Sequence, residues 1–185
     1  MRNVIPNALF LSSALVILLA GCSKGKSIAD LITDLKSSHR HARVEAAKAL
    51  GEYGSNAAKA VPALSEALND SEAKVRHAAA RSLGMIGQAA KEAIPGLTKA
   101  LQDTDARVRH SAATALGRFG PEAKEAVPDL IRLLQDNDPK NRLAAAHALG
   151  KMGPEAKDAG TALKGALNDK DRQVREAAAS ALKRI

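Results

Sequence analysis

The chain has 185 residues, which suits one domain or a short repeat array. It is 45% hydrophobic and 26% charged, with 28 basic against 20 acidic side chains and a formal charge of +8, the balance of a soluble globular type over most of its length. A single cysteine excludes an intrachain disulfide, and no Cys/His cluster has metal-ligand spacing.

The N-terminus reads as a targeting signal. Arg2 is its one charge, and an apolar segment runs from Ala8 to Ala20, broken only by Ser12 and Ser13. That is well short of the ~20 residues of a spanning helix. The small residues Ala20 and Gly21 complete a secretory signal over residues 1–21. The tetrad Leu19-Ala20-Gly21-Cys22 resembles the lipobox of bacterial lipoproteins. The resemblance implies cleavage before Cys22, diacylglyceryl attachment to its sulfur and, in many bacteria, a further acyl chain on the new amine; two or more acyl chains anchor stably. The competing reading is ordinary signal cleavage beside a stray cysteine. Ser23, rather than Asp, follows the cysteine; by resemblance to enterobacterial sorting this favours the outer membrane. A chain cut at Cys22 keeps 27 basic against 20 acidic residues. Residues 22–27 then form a short tether, with Lys24 and Lys26 placed to meet anionic headgroups. Gly25-Lys26-Ser27 is not a phosphate-binding loop: Gly21 and Gly25 are separated by three residues instead of four, and no strand precedes them.

A 33-residue repeat fills residues 28–185. Leu50-Gly51 recurs at Leu83, Leu116 and Leu149, each followed by glycine. Pro62, Pro95 and Pro128 keep the period, as do Asp70, Asp103, Asp136 and Asp169, and Arg43, Arg76, Arg109, Arg142 and Arg175. Each unit reads as two helices. In one copy the first runs from Pro121 to Leu134, kinked or broken early by Pro128. Asp138 then serves as N-cap with Pro139 in the first helical position. Gly150 and Gly153 let the second helix end and the chain reverse. Second helices are expected near 39–53, 72–86, 105–119, 138–152 and 171–184. Val75, Ala79, Leu83 and Ile86 share one apolar face. Such a pair cannot bury that face alone, so the prediction is an all-α solenoid of about five helical hairpins. With aromatics at 2% and no Trp, its core must be Ala, Leu, Val and Ile.

The pattern resembles the HEAT repeat, in the short form of phycobilisome-lyase-type HEAT-like proteins. The resemblance rests on Pro-x-Leu, the Leu-x-Asp turn, Val-Arg after that Asp, and the Ala-rich second helix ending in Leu-Gly. It implies that the Asp column and the residues Arg76, Arg109, Arg142 and Arg175 form a structural ladder between units. Ser37 replaces Asp in the first copy, as fits an atypical end unit. The last unit predicts a partly exposed terminal face and self-association through it.

Chemistry-bearing constellations are few. His39, His41, His77, His110 and His147 include no His-Glu pair of the kind that binds two irons in some HEAT-like hydroxylases, and read as solvent-facing. No catalytic residue, metal site or cofactor is expected. One feature of the second helices points to binding. Four columns recur on their outward positions: His41, Lys74, Arg107, Lys140 and Gln173; Val44, His77, His110, Leu143 and Glu176; Lys48, Arg81, Thr114, His147 and Ser180; and Glu52, Met85, Arg118, Lys151 and Arg184. In HEAT arrays second helices line the concave side, so the resemblance implies a basic groove. Lys74, His77, Arg81, Arg107, His110, Lys140 and His147 are the partner-binding candidates, set against the bland alternative of an ordinary solvated face. Nucleic acid fits the charge but not the near absence of aromatics for stacking. An anionic protein surface, an anionic lipid headgroup or an acidic polysaccharide fits better. The expectation is a non-catalytic, membrane-anchored scaffold for a protein partner in the cell envelope, with a membrane-surface element that supports assembly of an envelope complex as a further reading. The alternative is a lyase or lyase accessory related to phycobilin lyases.

Overall fold

Ser27 opens the first helix with a reciprocal cap. Its Oγ accepts from the Asp30 amide at 3.2 Å, while the Ser27 amide donates to Asp30 Oδ2 at 3.0 Å. The computed structural model describes residues 25–185; the signal segment, Cys22, Ser23 and Lys24 lie outside them. Five helical pairs follow in order. The first is α1 (Ile28–Asp34) with α2 (Arg40–Glu52). Then come α3 (Val61–Ala67) with α4 (Ala73–Ile86), and α5 (Ile94–Ala100) with α6 (Ala106–Phe119). The last two are α7 (Val127–Leu133) with α8 (Pro139–Met152), and α9 (Gly160–Ala166) with α10 (Arg172–Leu182). The second helices α2, α4, α6, α8 and α10 stack side by side in one row, and each shorter first helix packs on its own partner. The result is the all-α solenoid expected from the period. No described helix is long and apolar enough to cross a membrane.

The first helices differ from expectation. Each of the last four is preceded by a 3-10 stretch: Gly54–Ala60, Gly87–Ala93, Gly120–Ala126 and Gly153–Ala159. One residue in each leaves helical geometry: Ala57, Ala90, Ala123 and Ala156. Pro62, Pro95 and Pro128 sit in the first turn of the α-helix that follows, where a missing N–H costs nothing. Proline is not the cause of the break, because the last unit has Thr161 there and breaks identically. Packing is the better account: the four alanines are fully buried. The reversals before these stretches use Gly54, Gly87, Gly120 and Gly153, all at φ between +53° and +69°, a region costly for other residues.

Gly150 does not share that role. It lies inside α8, and a Cβ added to it would sit 3.1 Å from both Cα and Cβ of Ala181 on α10. Gly51, Gly84 and Gly117 meet Ser82, Ala115 and Ala148 in the same way. This column is a close-approach seam between second helices. It also explains why α4 buries Ala78, Ala80 and Ser82 besides Val75, Ala79, Leu83 and Ile86: a helix stacked on both flanks and covered by its first helix has a narrow exposed strip.

The ladder is present, in a register that includes Arg43. Arg43, Arg76, Arg109 and Arg142 each present Nε and Nη2 to the Asp of the next unit, at 2.6–3.1 Å. Each Nη1 donates to a carbonyl in its own unit's turn, as from Arg76 to Asp70 O at 2.8 Å. The Asp Oδ1 also accepts the amide two residues on, as Asp136 does from Asp138. Ser37 covers that last role alone, its Oγ accepting from the His39 amide. Arg175 binds the Asp169 and Lys170 carbonyls and has no carboxylate partner among the described residues.

One buried position breaks the pattern. Val75, Val108 and Val174 are fully buried, but the equivalent residue in α8 is Asn141. Its Nδ2 reaches Asp136 Oδ1 at 3.2 Å, while its buried Oδ1 has no partner. An unpaired buried carbonyl costs about 1–3 kcal/mol. Asn141→Val is therefore expected to stabilise the array by about 1 kcal/mol after the lost Nδ2 bond. An unchanged or lower urea midpoint would refute this.

A candidate interaction face on the second helices

The seam leaves four positions per second helix facing outward. Lys74, Arg81, Arg107, Lys140 and His147 are exposed; His77 and His110 are half-buried. Lys74, Arg107 and Lys140 form one column across the first turns of α4, α6 and α8. Arg81 and His147 share another column, two units apart. In the four columns eight Lys/Arg stand against Glu52 and Glu176 alone. Hollows of about 310 and 80 Å³ lie between α2 and α4 on this face, the first bordered by His41, Lys48 and Lys74, the second by Lys48, Arg81 and Met85.

The candidates are not equivalent. Arg107 is held by its own N-cap, with Nη2 to Asp105 Oδ2 at 2.7 Å, and this pairing, opposed by desolvation, keeps the Asp105 carboxyl far below the usual range. Lys74, Arg81 and Lys140 make no ion pair among the described residues. His77 and His110 tie helices together. The His77 Nδ1 lies 3.1 Å from Arg107 O and 2.9 Å from Ser111 Oγ, and the His110 Nδ1 lies 3.3 Å from Lys140 O. A carbonyl only accepts, so the His110 Nδ1 carries the proton, while the His77 Nδ1 either donates to Arg107 O or accepts from the Ser111 hydroxyl, according to its tautomer. One ring nitrogen of each is thus spent inside the array rather than facing solvent. Partial desolvation first, then the charges of Lys151 and Arg184, hold the His147 imidazole below its ordinary value.

The column that the candidate set omits lies at the last turn. Arg118, Lys151 and Arg184 are exposed on α6, α8 and α10 or just past its end. Arg118 Nη1 donates to Gly84 O at 3.1 Å, which fixes the guanidinium over the end of α4. These residues stood in the periodic columns, where their run of three cations from α6 onward is the same signal that the run of Lys74, Arg107 and Lys140 gives at the first turns.

At the N-terminal end, Lys26 pairs with Asp34 at 2.6 Å, and its carbonyl accepts from the Tyr53 hydroxyl at 3.1 Å. Lys26 is therefore bound to the array instead of standing free beside the tether. Among the described residues no group of three or more His, Cys, Asp or Glu side chains is placed to hold a metal ion.

Comparisons with known proteins agree with this architecture. A family model for HEAT repeats matches residues 12–84, 28–110, 61–124 and 94–183. The chain is similar to a solved complex of CpcE and CpcF of phycocyanin lyase from Nostoc sp. PCC7120, at 30% identity and a TM-score of 0.78, covering 92% of this chain and 69% of that one. An engineered protein matches at 27% identity and a TM-score of 0.75, over 87% of this chain and 81% of its own. A designed armadillo repeat protein, solved with the peptide (KR)4, has the same kind of fold at 20% identity and a TM-score of 0.73, over 84% of this chain and 80% of its own. Comparison with curated proteins gave no match.

Proposed function

This chain belongs to the HEAT-repeat family, and on that premise we propose that it is a lipid-anchored envelope protein whose solenoid holds a protein partner without catalysing a reaction. The observation that carries the reading is the continuous second-helix face. It is presented by a rigid, ladder-braced row of helices, and its cations outnumber its acids. Repeat arrays of this kind offer long surfaces rather than enclosed sites. An acidic partner matches the charge, and the similarity to a lyase subunit solved with a second subunit supports a protein partner in general. The Leu19-Ala20-Gly21-Cys22 tetrad supports the anchor, with membrane as the second partner and the periplasmic face of the outer membrane as the site of action.

The test has two arms. Palmitate labelling should mark the wild type and be lost in Cys22→Ala; unlabelled wild type removes the anchor. Pulldown from membranes should lose its partners when Lys74, Arg81, Arg107 and Lys140 are all changed to Glu. Unchanged partners at the same salt would remove the basic face from the account.

The likeness to phycocyanin lyase favours one further reading, a lyase or lyase accessory. It predicts that the purified chain, alone or with a second subunit, accelerates attachment of a bilin to a protein thiol. The scaffold reading predicts no acceleration in that assay.

A further inference from the structure

We propose that α6, α8 and α10 bind an extended acidic protein segment running across them, one carboxylate per repeat, through Arg118, Lys151 and Arg184. This rests on the scaffold reading and specifies the partner's form. The three cations stand in one column, spaced by the repeat itself. In the first two units the same column holds Glu52 and Met85, so the cationic rail begins at α6.

Spacing decides the form of the ligand. Packed helices stand ~8–10 Å apart, and the glycine seam favours the short end of that range. A polyproline-like or extended chain advances ~3.1–3.4 Å per residue, so every third side chain recurs at roughly 9–10 Å. A polyproline II segment also returns every third residue to the same side. An acid at each third position therefore meets one cation per unit without strain. A helical ligand recurs on one face near this spacing only at every seventh residue, about 10.5 Å, so it offers one acid in seven where the extended chain offers one in three.

Arg118, Lys151 and Arg184 make no ion pair among the described residues. His147 lies one turn from Lys151 on α8, and the charges of Lys151 and Arg184 add to desolvation in depressing its imidazole. Glu176, the one acid of the outward columns on these three helices, is near the start of α10 and paired with Arg172 at 2.6 Å. Arg118 spends one donor on Gly84 O, and its other donors have no partner among the described residues. A single nucleic acid strand would offer phosphates, but these columns carry no aromatic side chain for its bases.

The experiment is fluorescence anisotropy on the full chain in detergent, at fixed salt. One labelled peptide carries Glu at every third position among Ala and Pro; the other has the same composition with its Glu residues contiguous. The spaced peptide should bind about fivefold tighter, the sum of three exposed pairs. Lys151→Glu with Arg184→Glu should abolish that preference. Lys91→Glu with Lys157→Glu, an equal charge change off this face, should preserve it. Neither pair makes a side-chain hydrogen bond or ion pair among the described residues, so both variants should fold, as circular dichroism will check. Equal binding of the two peptides overturns the proposal, as does loss of the preference in the Lys91/Lys157 variant. Tighter binding of a single-stranded oligonucleotide of the same charge also overturns it. If membrane partners still depend on the face while neither peptide binds, the spacing inference falls and the scaffold reading stands. If neither result depends on its charge, both fall.

Discussion

Asp136→Ala is expected to lower the unfolding free energy by about 3 kcal/mol and to divide one unfolding transition into two. Asp136 is the rung between the third and fourth units. It receives the Arg109 fork at 2.7 and 3.1 Å, the Asp138 amide at 2.9 Å and Asn141 Nδ2 at 3.2 Å. Its side chain is only 9% exposed and that of Arg109 19%, so truncation strands a mostly buried cation. Units in an array couple only to their neighbours, so a weakened central interface lets the halves melt apart. Tyr53, the single tyrosine, reports on the N-terminal half, and circular dichroism reports on the whole. In the wild type the two urea transitions should coincide; in Asp136→Ala they should separate. Coincident transitions at the wild-type midpoint would dismiss the ladder as a stabilising element. Asp136→Asn, which keeps an acceptor for the Asp138 amide, should lose less.

The same ladder sets an acid limit. At Asp70, Asp103 and Asp136 desolvation alone would raise the carboxyl, but the arginine forks, turn amides and positive charge outweigh it. All three are held below the ordinary range, as is Asp169 through the Arg142 fork. A depressed folded value means the stabilisation is complete above the unfolded value of about 3.9 and is lost as pH falls through the folded values. Stability should therefore be flat from neutral pH to about 5 and fall steeply below about 4. The partners Arg43, Arg76 and Arg142 are raised above their ordinary value, so their share stays complete throughout this window.

Gly84→Leu should be as damaging by a different route, at about 3 kcal/mol or more. A Cβ at Gly84 lies 2.9 Å from Ala115 Cβ and 3.0 Å from Ala115 Cα. The obstacle includes backbone, so α4 and α6 must move apart, and the seam continues into every later unit. Gly165→Ala should have the opposite sign. Gly165 lies inside α9 with nothing within 4 Å of an added Cβ, so alanine gains roughly 0.5–1 kcal/mol of helix propensity. Urea melts of the two variants test the pair; a tolerated Gly84→Leu would mean the helices do not depend on this close approach.

Much of the fold was legible because a period is a strong signal. Leu50, Leu83, Leu116 and Leu149 mark equivalent buried positions, all fully enclosed. Asp138-Pro139 marks the start of α8 as read from the pair alone. Other features were beyond the period. Asp and Arg columns of equal period fit pairing six residues apart within a unit or 27 apart between units. The structure uses both, with Asp70 O taking Arg76 Nη1 and Asp103 taking its fork. Alanine is a strong helix former, so nothing local in Ala57, Ala90, Ala123 or Ala156 announces a break. The candidate face was partly legible: its exposed cations were read from helical spacing. The binding of His77 and His110 to the next helix was not, because it depends on how closely neighbouring helices approach.

By itself the sequence determined the repeat, its length, the identity of the second helices, and the columns they turn outward. Those follow from local periodicity and capping, which every unit restates. Only the tertiary structure decided which Arg meets which Asp, which glycines turn the chain and which admit a neighbour, and which cations stay unpaired. Each of those is a distance between units, and a repeating sequence leaves the register between its copies open until their side chains pack.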